Sequence, residues 1–320
     1  MQRRATLALL VPAYNAAKFL PRLFQSVAAQ AQPFDEIWVY DDCSSDDTAA
    51  VAQQWGAKVV RGDVNRGTVY GKTSLVQMTG CDWVHFHDSD DELLPGFVER
   101  AHQWMAKDSF DIVVFGCDQR DEISGLIEHT AIHDAEKLAK DPVGYTISTK
   151  INSISSIYRR TAFIAAGGFD SDPEVLYNED VATHCSLARA SLRFTADPDV
   201  FMFCWRRAGS MSNGNPVKCT RAEYKVLVKA WKHDTDSKHG LEISERLWAV
   251  ATIAATHLDW ETADASARLA YKLSGSAKSS SNLFRVLSAV WPTMALRLRE
   301  WLIRALKPQY RVGCPGWRRR

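Results

Sequence analysis

The chain predicts an α/β fold: a mostly parallel central sheet flanked by helices, with an α-helical appendage behind it. Three observations carry this. Short apolar runs alternate with helical patterns from the N-terminus onward, and such alternation builds a parallel sheet with helices on both faces. Three of the runs end in polar or acidic clusters, where sheets of this kind bind ligands. Beyond about residue 218 the strand signals stop, and Ala, Leu, Trp and Lys dominate. The expected division is 1–218 for the α/β domain and 219–320 for the helical region, in keeping with a chain of 320 residues.

Leu7-Ala8-Leu9-Leu10-Val11 is a continuous apolar run closed by Pro12, the signature of a strand buried on both faces. Phe19, Leu20, Leu23, Phe24 and Val27 then fall on one helical face, with Pro21 tolerable in the first turn. Glu36 to Tyr40 is the second strand. It runs into Asp41-Asp42-Cys43-Ser44-Ser45-Asp46, and Ser45 or Asp46 can cap the next helix. Lys58 to Arg61 makes a short strand, Asn65-Arg66-Gly67 a turn, and 69–79 a helix. The fourth strand, 82–87, spills into Asp88, Asp90, Asp91 and Glu92, with Pro95 and Gly96 closing the turn. Like charges so concentrated repel unless a cation joins them, and carboxylate oxygens suit Mg²⁺ or Mn²⁺. His85 and His87 read as ordinary strand residues. Asp111 to Gly116, 155–159 and 201–207 are further strands, and 118–150 reads as a polar, irregular excursion. Residues 221–235, 241–258, 260–273 and 282–306 read as four helices.

Composition excludes several classes. Apolar residues make up 46%, ordinary for a protein with a sizeable core. Seven cysteines include no Cys-x-x-Cys pair, which argues against a disulfide framework or a structural zinc site and for a reducing cytosol. No Gly-x-Gly-x-x-Gly and no Gly-x-x-x-x-Gly-Lys-Ser/Thr occurs, so dinucleotide and P-loop readings lose their support. The N-terminal apolar run is too short for a signal-peptide core, and no stretch is long enough to span a membrane. Net charge is +1, but Arg285 to Arg320 carries nine Arg or Lys and one acid. The tail from 291 mixes Trp and Leu with Arg. Two readings fit it: peripheral contact with an anionic membrane through 291–320, or packing on the α/β domain. Nucleic acid is not expected, because no nucleic-acid fold accompanies the charge.

Val11-Pro12-Ala13-Tyr14-Asn15, then Tyr40 to Thr48, then Asp88-Ser89-Asp90-Asp91 resemble, in order and spacing, the three successive motifs of family 2 glycosyltransferases. That resemblance covers roughly residues 5 to 212. It implies the GT-A, Rossmann-like fold of nucleotide-diphospho-sugar transferases and an inverting transfer that uses a divalent metal (Mg or Mn). Position by position, it places Pro12, Tyr14 and Asn15 beside the nucleotide. Asp42 meets the nucleobase edge and Asp41 shapes that turn. A carboxylate can accept a uracil or guanine N–H. Arg66 and Lys72 lie where the family presents polar groups to the diphosphate, although the usual Ala-Arg-Asn is missing. Asp88 and Asp90 match the metal-binding Asp-x-Asp, Asp90 as ligand and Asp88 also toward the ribose. Asp180 takes the general-base position with Glu179 beside it, at a helix N-terminus that favours negative charge. Arg206 and Arg207 lie in the family's closing segment. Relatives often carry a His near 207 or 208, where this chain has Arg207-Ala208, and an arginine cannot ligate a metal. It can instead fork onto a diphosphate.

The implied partners are a nucleotide-sugar donor, a UDP-sugar first, and a glycan or lipid-linked acceptor. The implied place is the cytoplasm or the inner face of its membrane. Oligomerisation is left open. A non-catalytic sugar-nucleotide binding or scaffold protein on the same fold is the alternative, against which the joint presence of Asp90 and Asp180 argues. A nucleotidyltransferase would need a Gly-rich N-terminal loop that is missing here.

Overall fold

The computed structural model describes residues 3–207, 211–275, 277 and 282–307, so the expectations placed on 208–210 and on the tail beyond 307 lie outside the described residues. The chain divides into two units, Met1–Asn213 and Gly214–Arg320.

The first unit opens with β1 (Leu7–Ala13), α1 (Leu20–Ala28), β2 (Glu36–Asp41), α2 (Thr48–Gln54), β3 (Lys58–Arg61), α3 (Thr68–Met78) and β4 (Trp83–Phe86). Strands β3-β2-β1-β4 pair in parallel. Every residue of β1 is buried, as a strand covered on both faces requires. Helix α1 turns Leu20, Leu23, Phe24 and Val27 inward and places Pro21 in its first turn, where no N–H is missed.

Then follow β5 (Glu92–Leu93), α4 (Phe97–Met105), β6 (Ile112–Asp121), β7 (Ile127–Ala131), α5 (Ala135–Lys140), α6 (Pro142–Ser148), β8 (Ser156–Arg159), α7 (Arg160–Ala165), α8 (Glu179–Arg189), β9 (Phe194–Arg206) and the single turn α9 (Met211–Gly214). The sheet order is β3-β2-β1-β4-β8-β6-β9-β5, with β7 on β6. β8 is antiparallel to both β4 and β6. Two reversals therefore return β6 and its parallel partner β9 to the direction of β1. The consequence governs the site: β1, β2, β4, β6 and β9 all end along one edge.

The sequence reading needs three corrections here. Residues 118–150 are not irregular. β6 continues to Asp121, and β7, α5 and α6 follow. β7 is exposed on nearly every residue, so it lacks the apolar alternation that would have announced it. β9 begins at Phe194 rather than near 201. Its register against β6 shifts around Gly116, and that bulge absorbs Pro198, which has no N–H for a regular ladder. The helix expected over 282–306 is two helices, broken before Pro292, whose ring cannot continue the preceding turn.

The second unit holds α10 (Pro216–His233), α11 (Gly240–Thr256), α12 (Trp260–Ser274), α13 (Asn282–Val290) and α14 (Pro292–Leu306). Its core joins Val226, Leu227, Ile243, Leu247 and Leu296 to small residues, among them Ala251, Ala255, Ala263, Ala267 and Ala270. Small side chains let α11 and α12 approach closely. Arg297 pairs with Asp264 at 2.6 Å, and Glu300 receives Arg299 at 2.8 Å and Arg304 at 3.4 Å. Much of α14's positive charge is thus used inside the unit. Leu283, Val286, Val290, Trp291, Met294, Leu298 and Trp301 are instead exposed.

Candidate active site

Three loops at the carboxyl edge build one wall. Asp41 is fully buried and accepts the Ser44 N–H at 2.9 Å, closing the turn after β2. Asp42 accepts the N–H groups of Arg66 at 2.8 Å and Gly67 at 2.7 Å. This ties the turn after β2 to the start of α3. Gly67 has φ 86°, a left-handed position that glycine takes without strain. Asn15 has φ 48° and accepts the Ser45 N–H at 2.9 Å. Pro12, Tyr14 and Asp42 line the resulting cleft, while the Arg66 guanidinium turns away, to Tyr70 at 2.7 Å and Asp63 at 3.0 Å. Arg66 lines neither cleft described below.

The acidic loop after β4 forms the floor. Its two positions face different cations. Lys72 is 2% exposed; its ammonium donates to Ser153 Oγ at 2.8 Å and lies 3.4 Å from Asp88. The sequence expectation aimed Lys72 at a diphosphate, but the structure puts it beneath the carboxylates. Burial drives the ammonium toward neutrality, yet Asp88, Asp180 and Glu179 outweigh it and hold its pKa above the usual lysine value. Asp90 Oδ2 is 2.5 Å from Arg207. Burial and the charge of Asp88 raise the pKa of Asp90, with Arg207 opposing. Asp91 is buried and accepts the Trp205 N–H at 2.8 Å. Burial, Asp90 and Asp88 push it well above the carboxylate range. Behind the loop, His85 and His87 are fully buried and bonded to each other at 3.1 Å, and His85 Nδ1 reaches the Ser156 carbonyl at 3.0 Å. Burial lowers the pKa of His87 to about 3, so the pair is neutral.

Removing Lys72 leaves three carboxylates to repel one another in a buried place. Lys72→Met is expected to cost about 3 kcal/mol of stability, read by urea denaturation. An unchanged midpoint would mean that the cluster holds together without its ammonium.

Helix α8 brings the second acidic pair. Glu179 is 6% exposed and lines the cleft with Asp88 and Asp90. Asp180 is half-buried, and its Oδ1 has no hydrogen-bond partner among the described residues. The helix N-terminus does not keep Glu179 ionised as expected. Burial and the neighbouring Asp180 raise it from 4.5 to about 8, against Lys72. A folded-state pKa above the unfolded one contributes stability below pH 4.5 that is lost as pH rises through about 8. Glu179→Gln, neutral at every pH, is expected to melt with the wild type at pH 4 and about 10 °C above it at pH 9. Parallel melting curves across that range would contradict the assignment.

The end of β9 supplies the last wall. Arg206 pairs with Glu128 at 3.2 Å, and Arg207 lies 3.9 Å over the Phe19 ring. Both line a cleft of about 460 Å³ with Asp91, Asn152 and Trp205, which meets the first, of about 330 Å³, at Asp88 and Asp90. Two carboxylates at the junction of two clefts make a hard, oxygen-only donor set. Among the described residues no group of three or more His, Cys, Asp or Glu could hold a metal. Mg²⁺ is commonly bound by one or two carboxylates together with substrate phosphates and water, and Asp88 and Asp90 offer two such carboxylates.

Four contributors escaped the sequence reading. Ser153 anchors Lys72. Trp205 holds Asp91 through its backbone. Arg22 donates to the Asp90 carbonyl at 2.6 Å and lies 3.3 Å from Glu92. Met211 sits in both clefts. Arg22 left one signal, a cation among the apolar positions of α1; Trp205 and Met211 lie in the last strand and the closing segment that the resemblance already marked, and Ser153 left none.

Residues 8–165 match the family model described as Glycosyl transferase family 2. The chain is 28% identical over 107 residues to the putative teichuronic acid biosynthesis glycosyltransferase TuaG of Bacillus subtilis, a match covering 32% of this chain and 42% of TuaG. The chain spans less than half the length of the curated relatives it matches first. Among solved structures, S. aureus TarS 1–349 in complex with UDP-GlcNAc superposes with a TM-score of 0.69 at 17% identity, over 94% of this chain and 92% of that one. The mannosyltransferase PcManGT from Pyrobaculum calidifontis, in complex with GDP-Man and Mn²⁺, gives 0.56 at 18% identity, over 96% and 88%. Both likenesses concern the fold.

Proposed function

The chain belongs to glycosyl transferase family 2 through residues 8–165, and on that premise we propose that it moves a sugar from a nucleotide-diphospho-sugar to a hydroxyl acceptor with inversion at the anomeric carbon. The observation that carries this reading is one cleft that collects Asp88 and Asp90 from β4, Asp42 from β2, Pro12 and Tyr14 from β1 and Glu179 from α8. The nucleoside lies along Pro12, Tyr14 and Asp42, and the diphosphate points to the junction at Asp88 and Asp90. A divalent cation bound there would supply Lewis-acid charge to the departing diphosphate. Asp180 receives the acceptor's proton as its oxygen attacks carbon, and Glu179, on the cleft wall, orients the sugar or the acceptor. Lys72 keeps this crowd of carboxylates in place.

The TarS structure in complex with UDP-GlcNAc supports a UDP-sugar as the first donor to try. TuaG's name, with teichuronic acid biosynthesis in it, supports a cell-surface polysaccharide or glycolipid as product. The experiment is a panel of nucleotide sugars with Mn²⁺, following release of nucleoside diphosphate and its loss on adding EDTA. Release from one donor supports the enzyme. Donor binding without release under any acceptor would favour a scaffold. Product configuration, read by NMR, tests inversion.

Peripheral membrane contact belongs to the same reading. No helix of the described residues is long and apolar enough to cross a membrane. The exposed Leu283, Val286, Val290, Trp291, Met294, Leu298 and Trp301 suit the headgroup boundary. With Arg297 paired to Asp264 and Glu300 receiving Arg299 and Arg304, attraction to anionic lipid falls to Arg285, Lys307 and the arginines beyond. Deleting 291–320 is expected to release the protein from anionic liposomes in sedimentation; unchanged sedimentation would remove the membrane from the account.

A further inference from the structure

We propose that Arg207 and the divalent cation compete for Asp90, so that arginine and metal exchange on one carboxylate. This rests on the metal role of Asp90 proposed above and adds a residue that regulates it. The two carboxylates of the Asp-x-Asp are each met by an internal cation, but the two cations differ in burial. Lys72, on Asp88, rises from α3, is 2% exposed and is anchored to Ser153. It has nowhere to go. Arg207, on Asp90 at 2.5 Å, comes from the end of β9, and its side chain is 25% exposed.

The loop does not depend on Arg207 for its shape. Arg22 holds the Asp90 carbonyl at 2.6 Å, and the Trp205 N–H holds Asp91 at 2.8 Å. Asp90 can therefore change partners without moving the backbone. An arginine stays protonated, and its charge beside Oδ2 opposes a divalent cation on the same carboxylate, so the two compete. A displaced Arg207 remains on the wall of the cleft that Asp88 and Asp90 also line, where phosphate oxygens suit its fork. Metal and nucleotide then favour each other's binding through this side chain.

The test measures Mn²⁺ affinity of the full, nucleotide-free chain from the free-ion signal in electron paramagnetic resonance. Arg207→Gln and Arg207→Ala are each expected to bind Mn²⁺ about 10-fold more tightly than the wild type. UDP as a probe is expected to tighten Mn²⁺ on the wild type by a similar factor and on the variants by much less. Equal affinity in wild type and both variants, or no Mn²⁺ binding by either variant, overturns the exchange. Asp90→Ala separates the two levels. Loss of Mn²⁺ there with no effect of Arg207 leaves the metal role standing and sinks the exchange alone, whereas binding that survives Asp90→Ala sinks both.

Discussion

Asp90→Ala is expected to lower nucleoside diphosphate release by about 10³-fold. Asp90 lies where the two clefts meet. In the proposed reaction negative charge builds on the leaving diphosphate as the glycosidic bond breaks, and a cation held at Asp90 would answer it. Burial first, and then the charge of Asp88, raise the pKa of Asp90. A carboxylate in such a place gains from a cation. Stability is expected to change little, because Arg207 loses a partner while Asp88 loses a neighbour of like charge. The measurement is initial rate against donor concentration. Turnover within threefold of wild type would remove Asp90 from the chemistry.

The second large effect is expected at Asp180. Asp180→Asn preserves shape and removes the proposed proton acceptor, so kcat should fall by about 10³-fold. Binding of UDP, read by thermal shift, should stay unchanged. The reason for preferring Asp180 to its neighbour is physical. Glu179 is driven to about 8 by burial and by Asp180, so at neutral pH it carries a proton and can donate a hydrogen bond rather than accept one. Asp180 keeps a buried oxygen without a hydrogen-bond partner among the described residues, beginning a helix whose first turn favours negative charge. A larger loss from Glu179→Gln than from Asp180→Asn would exchange the two roles.

The legible parts of this protein were those written locally. Leu7 to Val11 announced a doubly covered strand, and all of β1 is buried. The polar runs after β1, β2 and β4 announced a rim, and a parallel ladder puts those three ends together. Where the periodicity was weak, the reading missed. Exposed β7 has no apolar face to betray it, and Asp197, Pro198 and Asp199 interrupt the apolar run in the first part of β9.

Local pattern and strand direction thus determined that acids from distant segments would share an edge. Which cation meets which acid was decided only in three dimensions. Lys72 lies under Asp88 because α3 packs on β1 and β2 and its ammonium finds Ser153, just ahead of β8. Arg207 reaches Asp90 because two antiparallel pairings around β8 return β9 to the direction of β1. Pairings between residues more than a hundred positions apart leave no trace in spacing, since charge attracts through space and not along the chain.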